Sequence, residues 1–292
     1  MTYEVRKLTP EEHPNILQEI PEPPKHLWIA GNLPPPDFVL LTIVGSRHHT
    51  AYGREACAYL IEGLRGYPIT IISGLALGID TIAHQSALKA NLPTIAVPGS
   101  GISERVIYPR TNARLASNIV EAGGCLLSEY EPDFTATTWS FPRRNRIMAG
   151  LAKATLVIES DMKSGTRITA RLATDYNREV LAVPGSIFSP SSKGTNALLS
   201  LGATPITSPD DLLRALNIEP TDTSNPQEFL DLTTLSEIEQ LLLRTLVEPK
   251  EKDELFRALN LSPSTGNVLL MRLEMNGYLT DAGNNTVRRV IS

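Results

Sequence analysis

The sequence predicts an α/β protein built on a doubly wound, mainly parallel sheet, followed by a small C-terminal helical unit. Three observations carry this. Six short apolar runs recur between Phe38 and Leu216: "LLTIVGS", "ITIISG", "PTIAVPG", "CLLSE", "ATLVIES" and "EVLAVPG". Each precedes a segment with helical periodicity. The runs are apolar without alternation, which marks strands covered on both faces, as in a parallel sheet with helices on either side. Six strands is the minimum, and the pattern is that of an extended Rossmann-like sheet.

Taken in order, residues 1–37 are rich in proline ("IPEPPKHLWIAGNLPPPD") and read as an irregular N-terminal extension. Residues 38–216 form the Rossmann-like domain. Residues 217–232, "NIEPTDTSNPQEFLDL", are polar, hold two prolines and read as a linker. Residues 233–292 hold three helical stretches and a Gly/Asn turn between short extended segments, the layout of a winged helix-turn-helix. A bare three-helix bundle is the alternative. No short-period repeat is visible.

The chain has 292 residues, 41% hydrophobic and 20% charged, an ordinary globular composition. No apolar run reaches the roughly 18 residues needed to cross a bilayer, and the N-terminus carries neither signal nor transit pattern. Cys57 and Cys125 are too few for a disulfide framework or a thiolate metal site. A soluble protein of the reducing cytoplasm, without a membrane partner, is expected.

Net charge is −5, yet its distribution is uneven. Residues 139–171 hold seven Lys or Arg against Glu159 and Asp161. Within "FPRRNRIMAGLAKATLVIE", Arg143, Arg144 and Arg146 crowd the start of a predicted helix that leads into a strand. A helix start favours negative charge, and no acid lies between Asp133 and Glu159. The three guanidinium groups therefore call for a counter-charge from outside the segment. Residues 233–292, by contrast, carry seven basic residues and eight acids, which favours a protein contact or an accessory DNA contact there over sequence readout, with Arg288 and Arg289 on the wing.

Several strands end in glycine or small-residue turns: "VGSRHHTAYG", "SGLALGID", "PGSG" and "SGTRITA". Each is commonly no more than a tight turn. Together on one sheet edge, joined by Arg47, Arg110 and the 143–146 cluster, they predict a basic surface suited to phosphates. Phe141, and Trp139 if it is not core, adds a ring on which an unpaired base can stack. Gly74 and Gly78 are spaced G-x-x-x-G, not G-x-G-x-x-G, so a dinucleotide cofactor is not expected, and no Walker loop is present. Asp80 and His84 read as cap and packing residues before an acid–base or metal pair. His48 and His49 read as exposed loop residues. Ser46 lacks a nucleophile elbow.

These blocks, with "IYPRTN", "GGCLLSEY" and "AVPG", resemble the bacterial DNA-processing protein A (DprA/Smf) family over about residues 27–216. The resemblance implies a dimeric, non-catalytic protein without cofactor that binds single-stranded DNA. It also implies loading of the RecA recombinase onto incoming DNA in natural transformation. It makes Ser46, Arg47 and Arg110 phosphate-binding residues, and carries DNA contact to Phe141, Arg144, Asn145 and Arg146, with Arg143 in a variable place. Gly74 and Gly78, and Lys163, Gly165, Thr166 and Arg167 of the "KSGTR" loop, are expected as further DNA-binding residues. Arg167 stands where an apolar residue is usual. "PGSGISERVIYP" lacks the family's Gly-Leu-Asp, and the segment before Phe38 is too short for an N-terminal helical module.

The chain is more loosely similar to nucleoside-monophosphate phosphoribohydrolases. Their Pro-Gly-Gly-x-Gly-Thr-x-x-x-Glu block has a catalytic glutamate, whereas here Ala170 and Arg171 follow the threonine segment and no acid comes before Asp175.

Overall fold

The computed structural model describes residues 3–162, 164–220, 235–246, 248–276, 278–283 and 285–289. They divide into two compact units, Met1–Pro220 and Thr221–Ser292.

The first unit contains β1 (Val5–Lys7), α1 (Asn15–Gln18), β2 (Trp28–Gly31), β3 (Val39–Val44), α2 (Ala51–Glu62), β4 (Ile69–Ser73), α3 (Ile79–Lys89) and β5 (Thr94–Ala96). It continues with α4 (Ala113–Glu121), β6 (Cys125–Ser128), α5 (Ser140–Leu151), β7 (Ala154–Val157), α6 (Thr166–Asp175), β8 (Glu179–Ala182), α7 (Lys193–Ser200), β9 (Thr204–Pro205) and α8 (Pro209–Ala215). The strands form one sheet in the order β1-β2-β6-β5-β4-β3-β7-β8-β9. From β6 to β9 every pairing is parallel. The six strands expected from the apolar runs are β3 to β8. The chain winds one way from β3 to β6, then returns to the other side of β3 at β7, so the sheet is doubly wound about a switch point between β3 and β7.

The N-terminal segment departs from expectation. In place of the irregular extension its prolines predict, β1 and β2 extend the sheet antiparallel, with Ile29 opposite Leu127 and Arg6 opposite Ile29. The prolines lie between and after these strands, where they remove no ladder bond.

Both faces of the sheet are packed. Adjacent residues Ile71 and Ile72 on β4 point to opposite sides, as a pleat requires. Ile71 joins Cys57, Leu60, Ile79 and Ala83 under α2 and α3. Ile72 joins Leu17, Ile147, Leu151 and Ala170 under α1, α5 and α6. Leu115, Ala116 and Ile119 bring α4 onto Ala96 and Leu126. The central strands β3 to β7 are thus covered on both sides, which is why their sequences show no alternation.

The second unit has α9 (Glu237–Thr245), β10 (Lys250–Glu251), α10 (Lys252–Ala258), α11 (Pro263–Met275), β11 (Leu279–Gly283) and β12 (Thr286–Arg289). Its strands pair antiparallel in the order β10-β12-β11. Leu242, Leu255, Phe256, Leu273 and Val287 form its own core. Most of the expected linker, from residue 221 on, lies outside the described residues.

Candidate nucleic-acid interface

The loops after β3, β4 and β5 meet at the carboxyl ends of the strands. Gly78 begins α3 at φ +82°, and a side chain there would strike the Ser46 carbonyl and lie 2.7 Å from the Arg47 Cα. Only glycine combines that conformation with that approach. The Ile79 amide then donates to the Ser46 carbonyl at 3.1 Å. Asn112, from "IYPRTN", donates to the Leu75 carbonyl and to Thr81 Oγ1, both at 2.8 Å. Thr166 Oγ1 donates to the Gly45 carbonyl at 3.2 Å and attaches the "SGT" loop to the end of β3.

On this base stands a compact group. The Phe141 ring rests on Gly99, where an added Cβ would come within 2.5 Å of it. Arg47 lies over the same ring, 5.6 Å from its centroid, and Tyr108 packs beside it at 5.6 Å with a 51° tilt. Arg47 is exposed and makes no ion pair among the described residues. Tyr108 is 53% exposed. It follows a loop that ends in a cis Tyr108–Pro109 bond. A cation and an open aromatic face therefore stand side by side at the sheet edge. Trp139 is not core: it is exposed, with its edge against Tyr130 and Phe134.

The arginine cluster behaves differently from expectation. The helix begins at Ser140, and Pro142 in its first turn has no amide hydrogen to leave unsatisfied. Arg144, 4% exposed, points inward and donates Nη1 to the Gly74 carbonyl at 2.6 Å and to the Val97 carbonyl. Its Nε donates to Asn145 Oδ1 at 3.2 Å. Burial lowers its pKa to about 10, against the pull of Asp80. Arg146, 6% exposed, is ion-paired with Glu129 and donates to the Glu22 carbonyl at 2.6 Å. Arg143 is exposed and 3.6 Å from the same Glu129. The counter-charge sought outside the segment is therefore largely the protein's own. Of the expected basic ledge, Arg47 and Arg110 are open to solvent, Arg143 in part, while Arg144 and Arg146 hold the strand-end loops together.

One expected anion position is likewise filled from within. Glu159 accepts from the Thr50 amide at 2.9 Å and from Thr50 Oγ1 at 2.6 Å, so a carboxylate holds the residue whose hydroxyl caps α2 by accepting from the Gly53 amide at 3.2 Å. Ser46 Oγ accepts from the His48 amide at 3.0 Å and orders that loop. Gly74 lies directly beneath Arg144, and Gly165 is exposed at the start of α6. Arg167 donates to the Met162 carbonyl at 3.1 Å. Arg110 donates to the Glu104 carbonyl and makes no ion pair among the described residues. Lys163 lies outside the described residues.

Asp80 and His84 are buried structural groups. Asp80 accepts from the Ala76 amide at 3.3 Å. Burial raises its pKa, with Arg144 and Arg47 acting the other way. His84 Nδ1 is 2.8 Å from Thr94 Oγ1. That hydroxyl already donates to the Ile71 carbonyl at 2.8 Å, so the histidine is the donor and carries its proton on Nδ1. Among the described residues no group of three or more His, Cys, Asp or Glu could hold a metal ion, and no helix is long and apolar enough to cross a membrane.

The chain is similar in sequence and fold to several known proteins. "Protein Smf" of Escherichia coli is 42% identical over 206 residues, 70% of this chain and 54% of that protein. "DNA processing protein DprA" of Bacillus subtilis is 38% identical over 215 residues, 72% of this chain and 70% of that protein. The chain thus spans about half the length of the first relative. The crystal structure of DNA processing protein A from Streptococcus pneumoniae superposes with a TM-score of 0.66 at 37% identity, covering 72% of this chain and 74% of that one. A Helicobacter pylori DNA processing protein A, described for its single-stranded DNA binding mode, gives 0.65 at 31% identity, over 74% of this chain and 96% of that one. The sequence model of DNA recombination-mediator protein A matches residues 5–217. The chain belongs to the DNA recombination-mediator protein A family.

Proposed function

We propose that the protein binds single-stranded DNA at the strand-end edge, works without covalent catalysis, and passes the strand to the RecA recombinase during processing of incoming DNA. The observation that carries this reading is the Arg47–Phe141–Tyr108 group. It pairs an exposed guanidinium that makes no ion pair among the described residues with an exposed ring, and such a pair suits an unpaired base and its phosphate but not the stacked interior of a duplex. The Helicobacter pylori relative, described by its single-strand binding, supports it. In this reading Ser46, Arg47, Arg110 and Arg143 meet phosphates, with Gly165, Thr166 and Arg167 farther along the edge. Phe141 positions Arg47 and Tyr108. Gly74, Gly78, Arg144, Asn145 and Arg146 shape the loops from below.

The protein acts as a homodimer, and residues 233–292 act as a winged-helix accessory module joined through residues 217–232. Equilibrium competition between a single strand and a blunt duplex of the same length tests binding. Assembly of recombinase on a protein-coated strand, with and without this protein, tests delivery. Equal affinity for the two DNA forms would overturn the first claim, and unchanged assembly the second.

A further inference from the structure

The segment between β6 and α5 holds three aromatic rings outside the Arg47–Phe141–Tyr108 group. Tyr130 and Phe134 stack on each other, 4.4 Å apart at 20°. Trp139 crosses both, 5.8 Å from each, at 80° to Tyr130 and 60° to Phe134. The pair braces the indole, and neither of its rings lies parallel on it. Trp139 is 54% exposed. A large ring that is braced yet open loses little side-chain freedom when a flat ligand stacks on it.

The backbone beneath is held as firmly. Ser140 is buried, and its hydroxyl donates to the Gly99 carbonyl and accepts from the Thr137 amide at 3.0 Å. The Tyr130 hydroxyl donates to the Ser140 carbonyl at 3.4 Å. Gly99 is also the seat of the Phe141 ring, so Trp139 and Phe141 flank one anchored residue. The helix they begin leads back into the parallel strand β7, which places its start at the carboxyl edge of the sheet. No acid occupies its first turn, where the peptide dipoles favour an anion. Arg143 lies one turn beyond Trp139, its amide donating to the Trp139 carbonyl at 3.4 Å and its side chain 56% exposed. Glu129, 3.6 Å from Arg143, lies closer to Arg146. Two acids of the neighbouring loop limit where a phosphate can lie: Glu131 is exposed, while Asp133 is held by Arg105 at 3.5 Å and by the Ser103 hydroxyl.

We infer that Trp139 is a second base-stacking surface. The strand crosses the start of α5 from the Tyr108 group toward the β6 side, with a phosphate on Arg143. This rests on the single-strand reading above.

The indole is its own reporter, because a base stacked on it quenches its fluorescence. Trp28 is the one other tryptophan in the chain. Titrating the wild type with oligothymidylate should quench emission in step with binding, followed separately by the anisotropy of a labelled strand. Trp139→Phe should still bind and lose the quenching. Trp139→Ala should weaken single-strand binding by roughly 5- to 150-fold and keep the wild-type salt slope, since the ring neutralises no phosphate. Tyr59→Ala, which removes an exposed ring near the far end of α2, should change neither quantity. Quenching that persists in Trp139→Phe, or wild-type affinity in Trp139→Ala, overturns the second surface while single-strand binding stands. Failure of the wild type to bind a single strand removes the underlying functional reading as well.

Discussion

Arg47 and Phe141 lie 94 positions apart in the chain, yet the guanidinium of one sits 5.6 Å above the ring of the other. The contact joins the loop after β3 to the first turn of α5, and Tyr108 completes it from a third segment. Because Phe141 seats both Arg47 and the exposed Tyr108 ring, Phe141→Ala disperses the base-stacking platform and weakens single-strand binding by roughly 5- to 150-fold, the equivalent of about 1–3 kcal/mol per stacked base. Arg47→Ala weakens it and flattens its salt dependence. Fluorescence anisotropy with a labelled oligonucleotide separates the two effects, and a Phe141→Ala protein of full affinity would remove the platform.

Glu129 and Arg146 form a buried pair, each side chain 8% exposed. Replacing one member of such a pair strands the other's charge. Glu129→Gln should therefore cost roughly 3–5 kcal/mol in chemical denaturation. An exposed cation used only for DNA would give a different result: stability would hold and affinity alone would change.

His84 has its pKa lowered to about 3, first by burial and then by the Arg144 charge, while Ser73 opposes the shift. The unfolded chain takes up this proton near the ordinary histidine value and the folded chain does not. Stability from this group is present at neutral pH and is lost as pH falls from about 6.5 toward 3. Asp80, with its pKa raised, contributes with the opposite sign, losing stability as pH rises through the carboxylate range. Denaturation midpoints of wild type and His84→Gln, measured between pH 7 and pH 5, isolate the histidine: the wild type should lose more stability on acidification. Parallel curves would contradict this.

The chain divides at Pro220, and the units have separate cores. A protein ending there should keep its thermal transition and most of its single-strand affinity. Loss of most of the affinity on truncation would move the main DNA contact into the second unit.

Much of this was legible in the residues. Strands β3 to β8 are short apolar runs between helical segments, and their burial on both faces is what makes them recognisable. β1 and β2 were hidden because each is brief and set among prolines, and β1 is also an edge strand. The strand-end loops could be read from glycine turns, but the fate of the arginines could not. Arg144 is satisfied by carbonyls at Gly74 and Val97, and Arg146 by Glu129 and the Glu22 carbonyl. Those partners are brought in by folding, and local charge counting cannot see them. Asn112 lay inside a quoted motif, yet its role as a clamp on the Leu75 carbonyl depends on a contact 37 residues away.

The salt dependence of single-strand affinity tests the central claim most directly. With Arg47, Arg110 and further open cations each displacing counter-ions, log K should fall with log salt at about 0.7 per neutralised phosphate, giving a slope near −2 or steeper. Arg47→Ala combined with Arg110→Ala should remove about 1.4 of it. A wild-type slope near zero, or a slope unchanged in the double variant, would contradict the account.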